Sequence, residues 1–498
     1  MGILDSLALG FATALSPVNL LYCFCGVFLG TFIGVLPGIG SLAAVSMLLP
    51  VSFYLEPTTA LVMLSGVYYG AEYGGSTAAI LLNLPGTPSS AVTCLDGNPM
   101  AKQGRAGVAL FTTTIASFVG GTLGIVAMVA LAPVLSELAF AFGPAEYFAL
   151  MLFALVAAAA VTQGSPVKGV AMVIVGLILG CVGIDLNTGA PRFTFGYYDL
   201  YDGVNLVAVA MGLFGVAEVI ASITTVKREV RDKISLRSMI PAKDDVRRSI
   251  SPVLRGSGIG GFFGALPGTG QTVASFISYA VEKRIARDPS RFGKGAIEGI
   301  ASPEAANNAA VQTSFIPTLT IGVPGSATMA LMLGALMIHG IAPGPLLMTN
   351  HPDIFWGLIA SFWVGNVILL VLNIPLIGLW VRLLQVPYRF LYPGIIFLIC
   401  IGVYSVNFNL FDIGTVFVFG FLGYGMRLVG FEPAPLLIAL VLGPLMEQNL
   451  GRAVALARGD LLYLFDRPIS GTLLVATGAM LAWAFWSSLR PSGSPRPG

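Results

Sequence analysis

The 498-residue sequence predicts an all-α polytopic membrane protein built from two inverted structural repeats, and three observations carry that expectation. Hydrophobic residues make up 56% of the chain and charged residues 10%, far below the roughly 25% charged residues of soluble domains. Apolar runs recur along the chain, many near the ~20 residues that a helical span needs. The motif LPGIG at residues 36–40 returns as LPGTG at 266–270, and the segments FLGTFIGVLPGIG and GIGGFFGALPGTG agree at seven of thirteen positions. A second pair follows each copy, LPGTPSS at 84–90 and VPGSAT at 323–328. Pro-Gly breaks at matching places in two halves of an apolar chain point to a transporter site made from discontinuous helices.

Taken in order, residues 17–50 form an apolar segment interrupted at Pro37-Gly38, and 58–84 form a Gly-rich one ending at the second break. Residues 107–131, 145–161, 167–183 and 204–225 read as conventional crossings. The second copy begins with 256–280, apolar but flanked by basic loops on both sides. A full crossing there would put one basic cluster outside, against the positive-inside rule. A re-entrant hairpin turning at Pro267-Gly268 removes the conflict, and the repeat relation makes 17–50 a hairpin from the opposite side. The remainder runs as 303–348 (one crossing with a break at Pro324-Gly325), 354–379, 390–404, 411–424, a short run at 435–446, and 469–486. The expected organisation is an N-terminal repeat at 1–226, a basic cytoplasmic linker at 227–255, a C-terminal repeat at 256–489 and a disordered tail at 490–498. About ten to twelve membrane segments follow from that division.

Charge sets the orientation. The first 101 residues contain no Lys or Arg, nine crowd 227–255, and five more lie at 283–294. Cytoplasmic loops carry the Lys/Arg excess, so the N-terminus is expected outside. A net charge of +2 with loop-confined basic residues gives no sign of nucleic-acid binding. Five scattered cysteines, with no His cluster or second Cys pair, read as ordinary membrane-helix residues rather than metal ligands. Residues 1–19 lack a basic n-region and are not read as a cleavable signal peptide. Gly256, Gly258 and Gly261 match a dinucleotide fingerprint only in spelling, because no βαβ context surrounds them.

The breaks supply the candidate substrate site. A helix start presents unpaired N–H groups and a positive dipole end, Gly admits close backbone approach, and Pro at the first position loses no needed donor. The candidates are Pro37, Gly38, Gly40 and Ser41; Pro85, Gly86, Thr87 and Ser89; Pro267, Gly268, Thr269, Gly270, Gln271 and Thr272; and Pro324, Gly325 and Ser326. Four such ends converging at the midplane would suit a multi-carboxylate anion. Intramembrane carboxylates are costly and usually functional, which nominates Glu72 and Glu304 for ion coupling. Asn83, Asn307 and Asn308 offer oxygens for a hard cation such as sodium. Glu146 and Glu218 are read as interfacial, and His339 and His351 join no catalytic or metal pattern.

At this point the motifs carry a family resemblance. GVLPGIGS, YYGAEYGGSTAAILLNLPGTPSS and DGNPMAKQGRAGVAL in the first half, with ALPGTGQTVASFISY, SPEAANNAAVQTSFIPTLTIGVPGS and HGIAPGPLL in the second, resemble the large membrane subunit of tripartite tricarboxylate (TctA-like) transporters. The likeness spans nearly the whole chain. It implies a non-enzymatic secondary transporter of the bacterial inner membrane, driven by a sodium or proton gradient and needing no cofactor. It further implies a small four-helix membrane subunit and a periplasmic solute-binding protein that delivers a carboxylate such as citrate. A passive anion channel on the same scaffold is the alternative. An intramembrane enzyme would need a nucleophile–base or paired-aspartate site, and none stands out.

Overall fold

A computed structural model describes residues 2–160, 165–185, 188–222, 234–266, 268–384 and 388–489. Pro267, residues 223–233 of the basic segment, and the tail at 490–498 lie outside the described residues. The chain is mainly helical, and among the described residues the strands are one two-residue pair, Gly183–Ile184 against Pro191–Arg192. The first helices are α1 (Ile3–Ala14), α2 (Pro17–Val35), α3 (Gly40–Ser52), α4 (Pro57–Leu82), α5 (Ala91–Met100), α6 (Ala106–Ala139), α7 (Pro144–Ala160), α8 (Pro166–Gly180) and α9 (Leu206–Ser222). Then come α10 (Lys243–Gly264), α11 (Gly270–Ile285), α12 (Glu298–Thr313), α13 (Phe315–Thr320), α14 (Ala327–Ile338), α15 (Pro352–Asn373), α16 (Ile377–Leu383), α17 (Tyr388–Asn407), α18 (Leu410–Leu428), α19 (Ala434–Leu456) and α20 (Pro468–Leu489).

Among the described residues, six helical runs are long and apolar enough to cross a membrane, which makes the chain a polytopic membrane protein. One of them, Ala91–Ala139, is not continuous, because Gly104 at φ +77° kinks the chain between α5 and α6. Three elements differ from the sequence reading. The short run at 435–446 grows into the 23-residue α19, whose polar second half the apolar pattern did not reveal. The segment 303–348 is divided among α12, α13 and α14, with a second interruption at Ser314 beside the one at Pro324-Gly325. Nearly half of the basic segment, from Lys243 on, is helical, being the first turns of α10.

Residues Met1–Ala139 and Val207–Tyr424 form one compact unit; Phe140–Leu206 and Gly425–Gly498 form another. In the second unit α8 lies close against α19, where a Cβ on Gly176 would meet the Leu436 carbonyl oxygen at 2.3 Å. Arg192 donates to both carboxylate oxygens of Glu447 at 2.6 and 3.0 Å, and Arg467 pairs with Glu146.

The first unit holds all four Pro-Gly motifs, and its helix pairs use one packing register twice. A Cβ on Gly30 or Gly34 of α2 would meet the Val67 or Ala71 carbonyl oxygen of α4 at 2.3 or 2.2 Å. A Cβ on Gly260 or Gly264 of α10 would meet the Ala306 or Ala310 carbonyl oxygen of α12 at 2.1 or 2.4 Å. Only glycine allows such backbone-to-backbone contact, the small-residue packing expected of membrane helices. The adjacent face of α12 is held equally close, since a Cβ on Gly120 of α6 would stand 2.2 Å from the Ala305 carbonyl oxygen. Every residue of α4 from 59 to 80, and of α12 from 299 to 313, is buried. Neither helix is among the six apolar runs. Both helices are thus enclosed almost along their whole length.

The ends of these pairs share a backbone conformation. Gly38 and Gly40 have φ of +91° and +72°, and Gly268 and Gly270 have +82° and +59°, a left-handed path that β-carbon-bearing residues avoid. Helix α4 ends on Asn83 at φ +56°, and α13 is followed by Gly322 at +77°. The helix α5 is fastened by Asp96, fully buried, whose Oδ1 accepts the backbone N–H groups of Gly293, Gly295 and Ala296 at 2.8–2.9 Å. Its Oδ2 accepts the Tyr279 hydroxyl at 3.0 Å. Nearby, Asp288 accepts the Ser290 hydroxyl and N–H, which holds its carboxyl below the usual range.

Candidate functional site

The motifs meet in pairs. Gly40 lies against the second motif of its own half, with its Cβ position 4.0 Å from the Gly86 carbonyl oxygen. Gly270 approaches the corresponding Gly325 carbonyl oxygen at 3.8 Å. Gly86 and Gly325 in turn face Gly34 and Gly264, at 2.3 and 3.6 Å from their carbonyl oxygens. Around these contacts Pro37, Ser41, Thr87, Ser89, Gln271, Pro324 and Gly325 are buried, while Gly38 and Pro85 are exposed and Gly268, Thr269, Thr272 and Ser326 are half-buried. Ser326 caps α14 by accepting the Met329 N–H at 3.3 Å. The Thr269 hydroxyl donates to the Leu266 carbonyl at 3.1 Å.

Two carboxylates tie the halves together. Glu72 on α4 is fully buried and accepts the hydroxyls of Thr87, at 3.1 Å, and Ser89 from its own half. From the second half Gln271 donates its amide to the other Glu72 oxygen at 3.3 Å, and Tyr68 donates to the Gln271 carbonyl oxygen at 2.9 Å. Glu304 on α12, 1% exposed, mirrors this: its donors are Ser76 at 2.7 Å, Thr93, and Ser117 at 3.2 Å, all from the first half. Each half thus supplies a carboxylate that the other half helps to hold. Neither carboxylate has a Lys, Arg or His within hydrogen-bond reach among the described residues. Hydroxyl and amide donors offset part of the desolvation cost of a buried charge. A proton or a small cation would complete the balance.

Beside Glu304, α12 carries polar atoms without partners among the described residues: both side-chain atoms of Asn307, the Asn308 carbonyl oxygen and the Gln312 carbonyl oxygen. The Asn308 amide donates only to the Glu304 backbone oxygen, at 3.1 Å. Asn83 stands apart from both carboxylates, exposed on the wall of an open cavity. Glu218, read from sequence as interfacial, has its Oε1 2.8 Å from the Cβ position of Gly38, at the first break.

Sequence reasoning did not name Tyr68, Ser76, Thr93 or Ser117. Tyr68 and Ser76 were within reach of it, since residues four before and four after Glu72 share its helix face. Thr93 and Ser117 lie 211 and 187 residues from Glu304 and carry no local signal.

An all-helical membrane chain whose enclosed helices bring paired Pro-Gly motifs and buried carboxylates together belongs to the class of polytopic transport proteins. Residues 20–438 match the Tripartite tricarboxylate transporter TctA family, and the chain belongs to that family. It is 49% identical over 491 residues, 98% of both chains, to the "Uncharacterized 52.8 kDa protein in TAR-I ttuC' 3'region" of Agrobacterium vitis. It is 54% identical over 215 residues to the "Uncharacterized protein in TAR-II ttuC' 3'region" of the same organism, covering 43% of this chain and 89% of that one. No solved structure matches the chain.

Proposed function

We propose that this chain is the transport subunit that carries a di- or tricarboxylate such as citrate into the cell across the inner membrane, driven by a cation gradient. The substrate arrives from a periplasmic solute-binding protein, and a small four-helix membrane subunit completes the complex. The observation that carries this reading is the reciprocal holding of Glu72 and Glu304, each by donors from the other half. The coupling cation, sodium or proton, binds at these carboxylates, with Asn307 and Asn308 supplying further oxygens. The anion sits at the Pro-Gly motifs. Residues 1–226 and 256–489 act as inverted repeats with re-entrant hairpins, and rocking of one against the other exposes the site to alternate sides.

The test is uptake of labelled carboxylates into proteoliposomes holding the complex, with and without an imposed sodium or proton gradient. Accumulation above equilibrium that requires both the gradient and the binding protein is expected. Flux that only equilibrates would establish a passive channel instead.

A further inference from the structure

We propose a second carboxylate-binding place, a vestibule beside the second Pro-Gly motif in which Lys102 holds the substrate as it leaves for or arrives from the Lys-rich side. The proposal rests on the transport reading above. The cavity has a volume of 430 Å³ and is lined by Asn83, Pro85, Cys94, Asn98 and Lys102, among others. That volume falls in the ~300–1,000 Å³ range of small-molecule sites. Lys102 is the one charged residue on its wall. It is exposed and forms no ion pair or hydrogen bond with a described residue, whereas the neighbouring Arg105 is engaged by Asp245 at 2.7 Å. The left-handed turn at Asn83 ends α4 here and leaves its side-chain amide exposed.

The wall continues into the site. Pro85 lines the cavity, and two residues further on Thr87 donates to Glu72. Charge is thus segregated along one short path. The interior has two carboxylates and no cationic side chain in reach, and the vestibule has a lone ammonium and no carboxylate on its wall. An anion entering the first environment needs a cation with it; an anion in the second does not. The vestibule therefore holds the carboxylate alone, and the interior holds it only with its coupling ion. By the distribution of Lys and Arg, the vestibule opens on the cytoplasmic side.

Cys94, half-buried on the same wall, is a built-in reporter. In nanodiscs of neutral phosphatidylcholine, alkylation of Cys94 by a maleimide is followed by peptide mass spectrometry with citrate present or absent; the remaining cysteines serve as internal references. Citrate is expected to slow Cys94 alkylation severalfold in the native complex. In Lys102→Gln the citrate concentration for half-protection should rise about tenfold, the usual worth of one charge-assisted hydrogen bond. Lys102→Arg should retain protection, and the uncompeted alkylation rate should match in all three proteins. Equal protection in native and Lys102→Gln protein, or none in a complex that takes up carboxylate normally, would overturn the vestibule and leave the transport reading standing. Protection by anionic lipid without citrate would make this a headgroup site and also overturn it. Absence of carboxylate uptake in the native complex would instead remove the transport reading, and the vestibule with it.

Discussion

Helices α4 and α12 each run toward the second Pro-Gly motif of their half and pack against the helix before the first, and their side chains differ. Counting back from Pro85 and Pro324, Val67 and Ala306 both stand at 18 residues, and each receives the close approach of a glycine from its partner helix. Ser65 matches Glu304 at 20 residues, Tyr68 matches Asn307 at 17, Tyr69 matches Asn308 at 16, and Tyr73 matches Gln312 at 12. The three tyrosine hydroxyls of α4 are engaged: Tyr68 by Gln271, Tyr69 by the Ser361 carbonyl and Tyr73 by Asn366. The three amides at the same positions of α12 retain unpartnered atoms. One backbone arrangement thus appears twice, once with its tyrosine hydroxyls engaged and Ser65 Oγ alone left without a partner among the described residues, and once with four side-chain atoms left over.

The largest effect should come from breaking the shared register. Gly30→Leu and Gly260→Leu each force a side chain well inside van der Waals contact with a carbonyl oxygen, a cost of about 3 kcal/mol, at the upper end for overpacking. Both should fail to give a monodisperse peak on size exclusion in detergent; survival of one copy alone would break the equivalence of the two pairs. Next come the carboxylates. Glu304→Gln should leave a folded protein that no longer accumulates substrate against a gradient, with uptake down at least a hundredfold. Normal accumulation by this variant would remove Glu304 from the coupling site.

The sharpest comparison is between equivalent positions 68 and 307. Asn307→Leu removes two unpartnered buried polar atoms, so the thermal midpoint in detergent should rise by the equivalent of about 1–2 kcal/mol while uptake falls. Tyr68→Phe orphans the Gln271 carbonyl oxygen and should lower stability by about 1 kcal/mol. Shifts of the same sign in both variants would show that the amides of α12 are as satisfied as the tyrosines of α4. The smallest effect is expected in the other unit, where Arg192→Gln removes a part-exposed ion pair worth about 0–1 kcal/mol. Uptake should stay within twofold of the native rate.

Much of this architecture was legible because its signals are local. Pro-Gly in apolar sequence marks where helices stop, and the helix boundaries at Val35, Gly40, Gly264 and Gly270 fall around those dipeptides. Glu72 and Glu304 were conspicuous because charge is rare between apolar neighbours. What stayed hidden was of two kinds. Hydroxyl partners such as Thr93 and Ser117 are common residues made special only by distant chain segments, as is the position of Glu218 beside Gly38. Helix α12 was obscured for the opposite reason. Its Asn, Gln and Ala content does not resemble a lipid-facing span, and it need not, because protein encloses it on all sides.

The fastening of α5 has a consequence for how the protein is made. Asp96 finds its backbone partners 197 to 200 residues further along the chain. At about 5–20 residues per second, a ribosome needs roughly 10–40 s to deliver Gly293 after Asp96 has emerged. For most of that interval α5 carries a carboxylate with none of its four final donors, the first of which, Tyr279, lies 183 residues on, and such a helix is costly to place in hydrocarbon. The final seating of α5 is therefore left open until the loop ahead of α12 arrives, so that the first half of the chain cannot complete its packing before the opening stretch of the second has been translated.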